Sequence, residues 1–194
     1  MALAVYFFIY FSVAFLLRSW LIYQKTGINP VVLTSRDDAY GFVGLSFKVV
    51  TACVAIFVAL QAIDPDMLQN TGLIIVLQGE RVTIVGWLLL LVSLLWTIIA
   101  QWQMGSSWRI GIDERNRTQL VENGLFALSR NPIFLAMRIN LLGLVLVRPH
   151  AITLTLFVAG DLLMQVQVRL EEAHLSAQHG ENYAAYLKKV RRWL

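Results

Sequence analysis

At 194 residues, 58% of them hydrophobic and with a mean hydropathy of +0.64, the chain carries only 14% charged side chains, where a soluble domain carries about 25%. That balance excludes an ordinary water-soluble globule and makes a bilayer the natural solvent. The net charge of +4 reflects basic residues flanking membrane segments and their attraction to anionic lipid, and carries no nucleic-acid signal.

Runs of about 20 apolar residues cross a hydrocarbon core about 30 Å thick. Residues 3–23 form the first such run. It has no basic leading region and no small-residue cleavage site, and it continues through Trp20 and Tyr23, so it reads as a retained helix rather than a signal peptide. Residues 41–63 form the second and hold the lone Cys53, an apolar filler that supports neither a disulfide framework nor a Cys-based metal site. No metal is expected. After Asp64-Pro65-Asp66 and an apolar stretch at 72–77, residues 82–102 form the third run. The pair 133–147 and 151–168 is shorter, since sixteen helical residues rise only about 24 Å, and reads as a tight hairpin turning at Arg148-Pro149-His150. The expectation is an all-α integral membrane bundle of about five transmembrane helices. It forms a single domain, 1–194, with 1–102 as scaffold and 103–194 as the reactive part.

With the N-terminus outside, the cytoplasmic loops hold Lys25, Arg36, Arg109, Arg115, Arg117 and Arg130, and the tail adds Arg169, Lys188, Lys189, Arg191 and Arg192. Only Arg81 and Arg148 fall outside, while Arg18, Lys48 and Arg138 lie within helices. The excess of positive charge on one side predicts a multi-pass protein with its C-terminus cytoplasmic.

Polar groups gather at both feet of the hairpin. Asn123-Gly124 is a turn signal. Asn131-Pro132 reads as an N-cap followed by proline at the first helical position. Such a helix start exposes unpaired N–H groups and a partial positive charge. With Arg130 beside it, it suits a carboxylate or phosphate, or else it is a capped membrane helix whose arginine reaches the headgroups. In the tail, Gly180 ends a helix. Beyond it Tyr183, Tyr186, Leu187, Val190, Trp193 and Leu194 recur at helical spacing between basic residues. This predicts an amphipathic helix on the membrane surface, its tyrosines serving as anchors or as the roof of a pocket.

Charges inside membrane helices demand partners. Arg138 and Asp161 lie at similar depth on either side of the turn, which predicts an ion pair, structural or catalytic, with Asn140 as a further partner. Lys48 has no evident partner. Asp161, Gln165, Arg169 and Glu172 share one face of the last membrane helix, and Gln167 and Glu171 form a second polar line. The adjacent carboxylates at this exit suit a cationic ligand or an ordinary solvated helix end.

These residues resemble the isoprenylcysteine carboxyl methyltransferase family and its relatives, the phospholipid N-methyltransferases. The resemblance rests on Leu120-Val121-Glu122-Asn123-Gly124-Leu125-Phe126, then Arg130-Asn131-Pro132-Ile133-Phe134, then Glu171-Glu172 after the hairpin. His179-Gly180-Glu181-Asn182-Tyr183-Ala184-Ala185-Tyr186 and Val190-Arg191-Arg192 complete it. It covers roughly residues 118–194. Asn131 stands where the family usually has His, and Phe126 and Phe134 where it often has Tyr.

The resemblance implies S-adenosyl-L-methionine as methyl donor and S-adenosyl-L-homocysteine as product, held between the cytoplasmic loop and the tail. The implied cofactor-binding set is Gln119, Leu120, Val121, Gly124, Phe126, Arg130, Asn131, Pro132, Ile133, Phe134, Glu171, Glu172 and Tyr183. Glu171 is the first candidate for the ligand's ammonium and Glu172 the second, while the start of the Pro132 helix takes its carboxylate and Phe126 and Phe134 its adenine. Arg169 and Gln167, with Arg130, are the candidates to orient the acceptor. No glycine-rich nucleotide fingerprint is present. The expected reaction is carboxyl O-methylation of an isoprenylated cysteine or similar prenyl-thio acid, its lipid tail lying among the membrane lipids. The alternatives are N-methylation of an amine headgroup, as in a phospholipid, and a non-enzymatic scaffold or transporter built around Arg138 and Asp161.

Overall fold

A computed structural model describes residues 1–32, 37–68, 71–113, 116 and 118–194. Arg36, Arg115 and Arg117, counted in the topology above, lie outside the described residues. The protein is a helical membrane bundle. Helix α1 spans Ala2–Thr26, α2 Ala39–Ile63, α3 Glu80–Met104, α4 Pro132–Val147, α5 Ala151–His179 and α6 Glu181–Lys189. Among the described residues the only extended pairings are two isolated bridges, Val31 with Ile110 and Leu73 with His150.

Four helices, α1, α2, α3 and α5, are long and apolar enough to cross a membrane. The fifth expected span is α4, and at 16 residues it rises about 24 Å, short of a full hydrocarbon core. It compensates by lying directly against α3, with Gly86 and Gly143 at the contact. A Cβ on Gly86 would sit 2.8 Å from the Val147 nitrogen and 3.0 Å from the Gly143 oxygen. Small residues are what allow two membrane helices to approach this closely. Helix α5, at 29 residues, rises about 43 Å. Its apolar part ends near Val168, and residues 169–179 project past the bilayer core.

The hairpin turn is closed by a capping box. His150 Nδ1 accepts from the Ile152 N–H at 3.1 Å, and the His150 N–H donates to Thr153 Oγ1 at 3.2 Å. The proton therefore resides on Nε2, which donates to the Thr71 carbonyl. In the core, the Tyr6 hydroxyl donates to the Leu90 carbonyl at 2.7 Å and accepts from Asn140 Nδ2 at 2.6 Å, tying α1, α3 and α4 together. Asn140 was expected beside Arg138 and Asp161. It serves Tyr6 instead, because it points to the opposite side of α4.

Arg138 and Asp161 do form the expected ion pair between α4 and α5. Trp193 lies over the Arg138 guanidinium at 4.5 Å from the ring centre. That contact corrects the reading of the tail. Helix α6 ends at Lys189, Val190 turns extended (φ −122°, ψ 135°), and residues 190–193 fold back onto the foot of the hairpin. Lys48 faces outward from α2.

Arg18, placed within α1 by the sequence, closes the end of α3. Its Nη2 donates at 2.6 Å to both the Gln101 and Gly105 carbonyls, and its guanidinium lies 6.0 Å from the Trp108 ring centre. Terminal helix carbonyls have no partners of their own, so α1 fixes where the loop after α3 begins.

Candidate active site at the foot of the hairpin

A cleft of about 870 Å³, counting its open mouth, lies between the loop after α3, the start of α4, the emergent end of α5 and the inner face of α6.

The loop wall is built by a local distortion. Gly124 adopts φ +64°, and any Cβ there would collide with the Gln103 side chain at 2.3 Å. That approach lets Gln103 Oε1 accept from the Leu125 N–H at 2.8 Å. The short turn Gly124–Ala127 is thus pinned to α3, which aims the buried Phe126 into the cleft. Tyr186 on α6 closes the same wall, donating to the Phe126 carbonyl at 2.6 Å. Burial pushes the Tyr186 phenol up to about 12, so it remains a protonated donor, and pushes the Tyr183 phenol further.

The second wall is the start of α4. Asn131 occupies the N-cap position, but its side chain does not cap the helix. Its Nδ2 donates to the Arg192 carbonyl at 3.2 Å and to Glu172 Oε1 at 3.4 Å. Pro132 has no N–H, and Leu135 is the first residue here whose N–H finds a backbone acceptor, Asn131 O at 3.0 Å. Ile133 and Phe134 therefore line the cleft with no side chain capping their N–H groups. This is the arrangement that receives an anion.

The third wall is α5, where the two adjacent carboxylates have opposite fates. Glu172 is buried and held by two arginines. Arg130 donates through Nη2 at 3.0 Å and Nε at 3.1 Å, and Arg192 through Nη2 at 2.7 Å and Nε at 3.1 Å. Burial alone would raise its pKa, but the hydrogen bonds from Arg192 and Arg130 outweigh it and hold Glu172 below the usual carboxylate range. Arg192 is raised in turn by its bond to Glu172. Glu171 lines the cleft and, among the described residues, makes no hydrogen bond or ion pair. Desolvation in the cleft wall, and secondarily the charge of Glu172, pushes it up to about 7. A carboxylate in a cleft with a pKa displaced this far marks a candidate functional group.

Of the residues singled out from sequence, Gln119, Leu120, Val121, Phe126, Arg130, Asn131, Pro132, Ile133, Phe134 and Glu171 come together around this cleft. Gly124 shapes the wall from behind, and Tyr183 is packed in the core next to Tyr186. Glu172 belongs to the arginine clamp, which leaves it no room for a ligand ammonium. Arg169, expected to orient the acceptor, lies on the exposed side of α5 and donates to the Gln165 carbonyl at 2.6 Å and to Gln165 Oε1 at 3.2 Å. Gln167 is buried one helical turn toward the membrane from Glu171, outside the cleft lining. Arg130, also expected at the acceptor, is committed to Glu172 and to the Val190 carbonyl at 2.6 Å.

Sequence reasoning passed over several cleft residues. His174 stands three residues after Glu171 on the same face of α5, a spacing that pointed to it. Arg109 and Asp113 form an ion pair at 3.4 Å, four residues apart, with both side chains buried. Asp113 also accepts from Asn116 Nδ2 at 2.8 Å. Nothing in the tail's spacing announced that Arg192 turns inward.

No curated protein and no solved structure matches the chain. A family model does match, that of the phospholipid methyltransferases, over residues 82–182. The matched segment runs from α3 through the cleft loop and the hairpin into α6 and makes up just over half of the sequence, so the chain belongs to the phospholipid methyltransferase family.

Proposed function

We propose that the protein methylates a lipid-tailed acceptor at the membrane surface, with S-adenosylmethionine bound in the cleft. The observation that carries this reading is one cleft lined by Glu171, which has no hydrogen bond or ion pair among the described residues, by an uncapped helix start, and by Phe126 and Phe134. The residues present fit the donor's chemistry. Glu171 matches an ammonium, the Ile133 and Phe134 N–H groups match a carboxylate, and the two phenylalanines with Leu120 and Val121 match a flat base. When bound, the donor supplies a methyl group activated on a sulfonium. The chain's own contribution is orientation of the reacting partners, the main requirement in such a displacement.

Two acceptors fit. A prenyl-thio carboxylate, such as that of an isoprenylated cysteine, is already ionised at neutral pH and needs no base, but it needs a cation to orient it. Arg169 lies outside the cleft, and Arg130 and Arg109 are both engaged. An amine headgroup must instead lose a proton, and the cleft offers His174 beside Glu171, neither making a hydrogen bond among the described residues. A general base must lie within reach of that proton, and this arrangement favours the amine headgroup. The carboxyl acceptor is the second reading, supported by the motif run from Leu120 to Arg192.

The test uses methyl-labelled S-adenosylmethionine, the detergent-solubilised full chain, and phosphatidylethanolamine or a farnesyl-cysteine analogue as acceptor. Base-stable label on the amine lipid is expected. Base-labile label on the farnesyl acid would favour the second reading. No transfer to either by protein that binds S-adenosylhomocysteine would contradict both acceptors.

A further inference from the structure

At the end of the bundle opposite the cleft lies a second cavity, of about 770 Å³ counting its mouth. It is bounded by the start of α1, the end of α2, the first turns of α3 and the end of α4. Leu3, Val58, Trp87 and Val147 give it apolar walls. Three polar side chains line it, and Thr83 among them already donates to the Gly79 carbonyl at 3.1 Å. Gln61 is only 7% exposed and makes no hydrogen bond among the described residues. Its amide atoms are not sealed from solvent, so they are open to a partner in the cavity. Arg148, at the hairpin turn, is exposed at the rim, and among the described residues its guanidinium has no carboxylate partner. The carboxylates at this end, Asp64, Asp66 and Glu80, are absent from the lining.

We propose that this cavity binds the phosphate headgroup of an anionic phospholipid. A guanidinium and an amide N–H₂ converging on one space match phosphate oxygens. The apolar walls match the glycerol and first acyl carbons below. A lipid is favoured over a free anion because the cavity opens where hydrocarbon meets water, between helices that the lipid itself surrounds. A lipid seated here joins α1, α2, α3 and the α4–α5 turn. It thereby stabilises the bundle from the side remote from the cleft.

The experiment reads thermal unfolding of the full chain in nanodiscs of phosphatidylcholine with and without phosphatidylglycerol, and retained phosphatidylglycerol by native mass spectrometry. Wild type is expected to keep a bound phosphatidylglycerol and to gain about 2–4 °C. Arg148→Gln and Gln61→Leu lose both effects, while Arg148→Lys keeps part and Lys188→Gln, on exposed α6, keeps all. Helix content by circular dichroism shows which variants are folded. Folded Arg148→Gln and Gln61→Leu proteins stabilised as much as wild type would overturn the proposal. So would an equal shift produced by inorganic phosphate in pure phosphatidylcholine discs, since the site would then select a free anion.

Discussion

Arg192 reaches back to Glu172 with its guanidinium spread across the carboxylate, Nη2 at 2.7 Å from Oε2 and Nε at 3.1 Å from each oxygen. The contact folds the last residues of the chain onto the foot of the hairpin. There the Arg191 carbonyl accepts from the Arg130 N–H at 3.0 Å and the Arg192 carbonyl accepts from Ser129 Oγ at 3.2 Å. The tail is therefore part of the site's wall and not only a membrane anchor. Arg192→Ala leaves Glu172 to Arg130 and Asn131 and is expected to cost about 1–3 kcal/mol of stability. Glu172→Gln, which strips both arginines of their counter-charge, costs more. Thermal unfolding in detergent checks the order of the two.

Glu171 makes ligand binding depend on pH. Its carboxyl, raised to about 7, must ionise to hold a cation. At pH 6 most of it is protonated, and ligand and proton compete. Affinity for S-adenosylhomocysteine, whose amino group stays protonated over this range, should rise roughly tenfold from pH 6 to pH 8 and then level off. Glu171→Gln should bind more weakly and show a flat profile. Calorimetry at three pH values distinguishes the two behaviours.

The contact of α3 with the α4 backbone is sensitive to added volume. Gly86→Ala places a methyl against the backbone of α4, where Val147 N lies at 2.8 Å and cannot yield like a side chain. A loss of about 1–3 kcal/mol is expected, read as a lower unfolding temperature. Because α4 carries Pro132, Ile133 and Phe134, donor binding should weaken as well.

The Arg138–Asp161 pair is about a quarter exposed on each side, and each charge needs the other inside the bilayer. Arg138→Leu or Asp161→Leu alone should cost about 2 kcal/mol or more, while the double substitution should cost less than either. A double-mutant cycle on unfolding temperature measures this. Trp193 reports the same event, since loss of the guanidinium beneath its ring should change its fluorescence.

The membrane helices were legible in the sequence because apolar runs bounded by polar loops need no knowledge of their neighbours. The cleft was legible in good part for a different reason. Phe126, the Asn131-Pro132 helix start and Glu171 are each local signals, and all lie near the ends of elements that the hairpin brings together. Relations between distant side chains were harder to read. Helical spacing continued smoothly through Val190 and Trp193, and only the buried charge of Glu172 draws Arg192 inward. Arg169 looked available because a helical stripe gives direction without telling which stripe faces the loop. Asn140 was assigned to the nearest charges in sequence, whereas Tyr6, far away on α1, competed for it successfully. Asn131 occupied its expected N-cap position, yet its side chain served Glu172, and that exchange opened the helix start to a ligand.

The most direct test is calorimetric titration of S-adenosylhomocysteine into the detergent-solubilised full chain, wild type beside Glu171→Gln, at pH 8. The account predicts one saturable site in the wild type and a loss of roughly tenfold or more in affinity in the variant. A folded wild type that binds nothing, or a variant that binds as tightly as wild type, would contradict the assignment of the cleft.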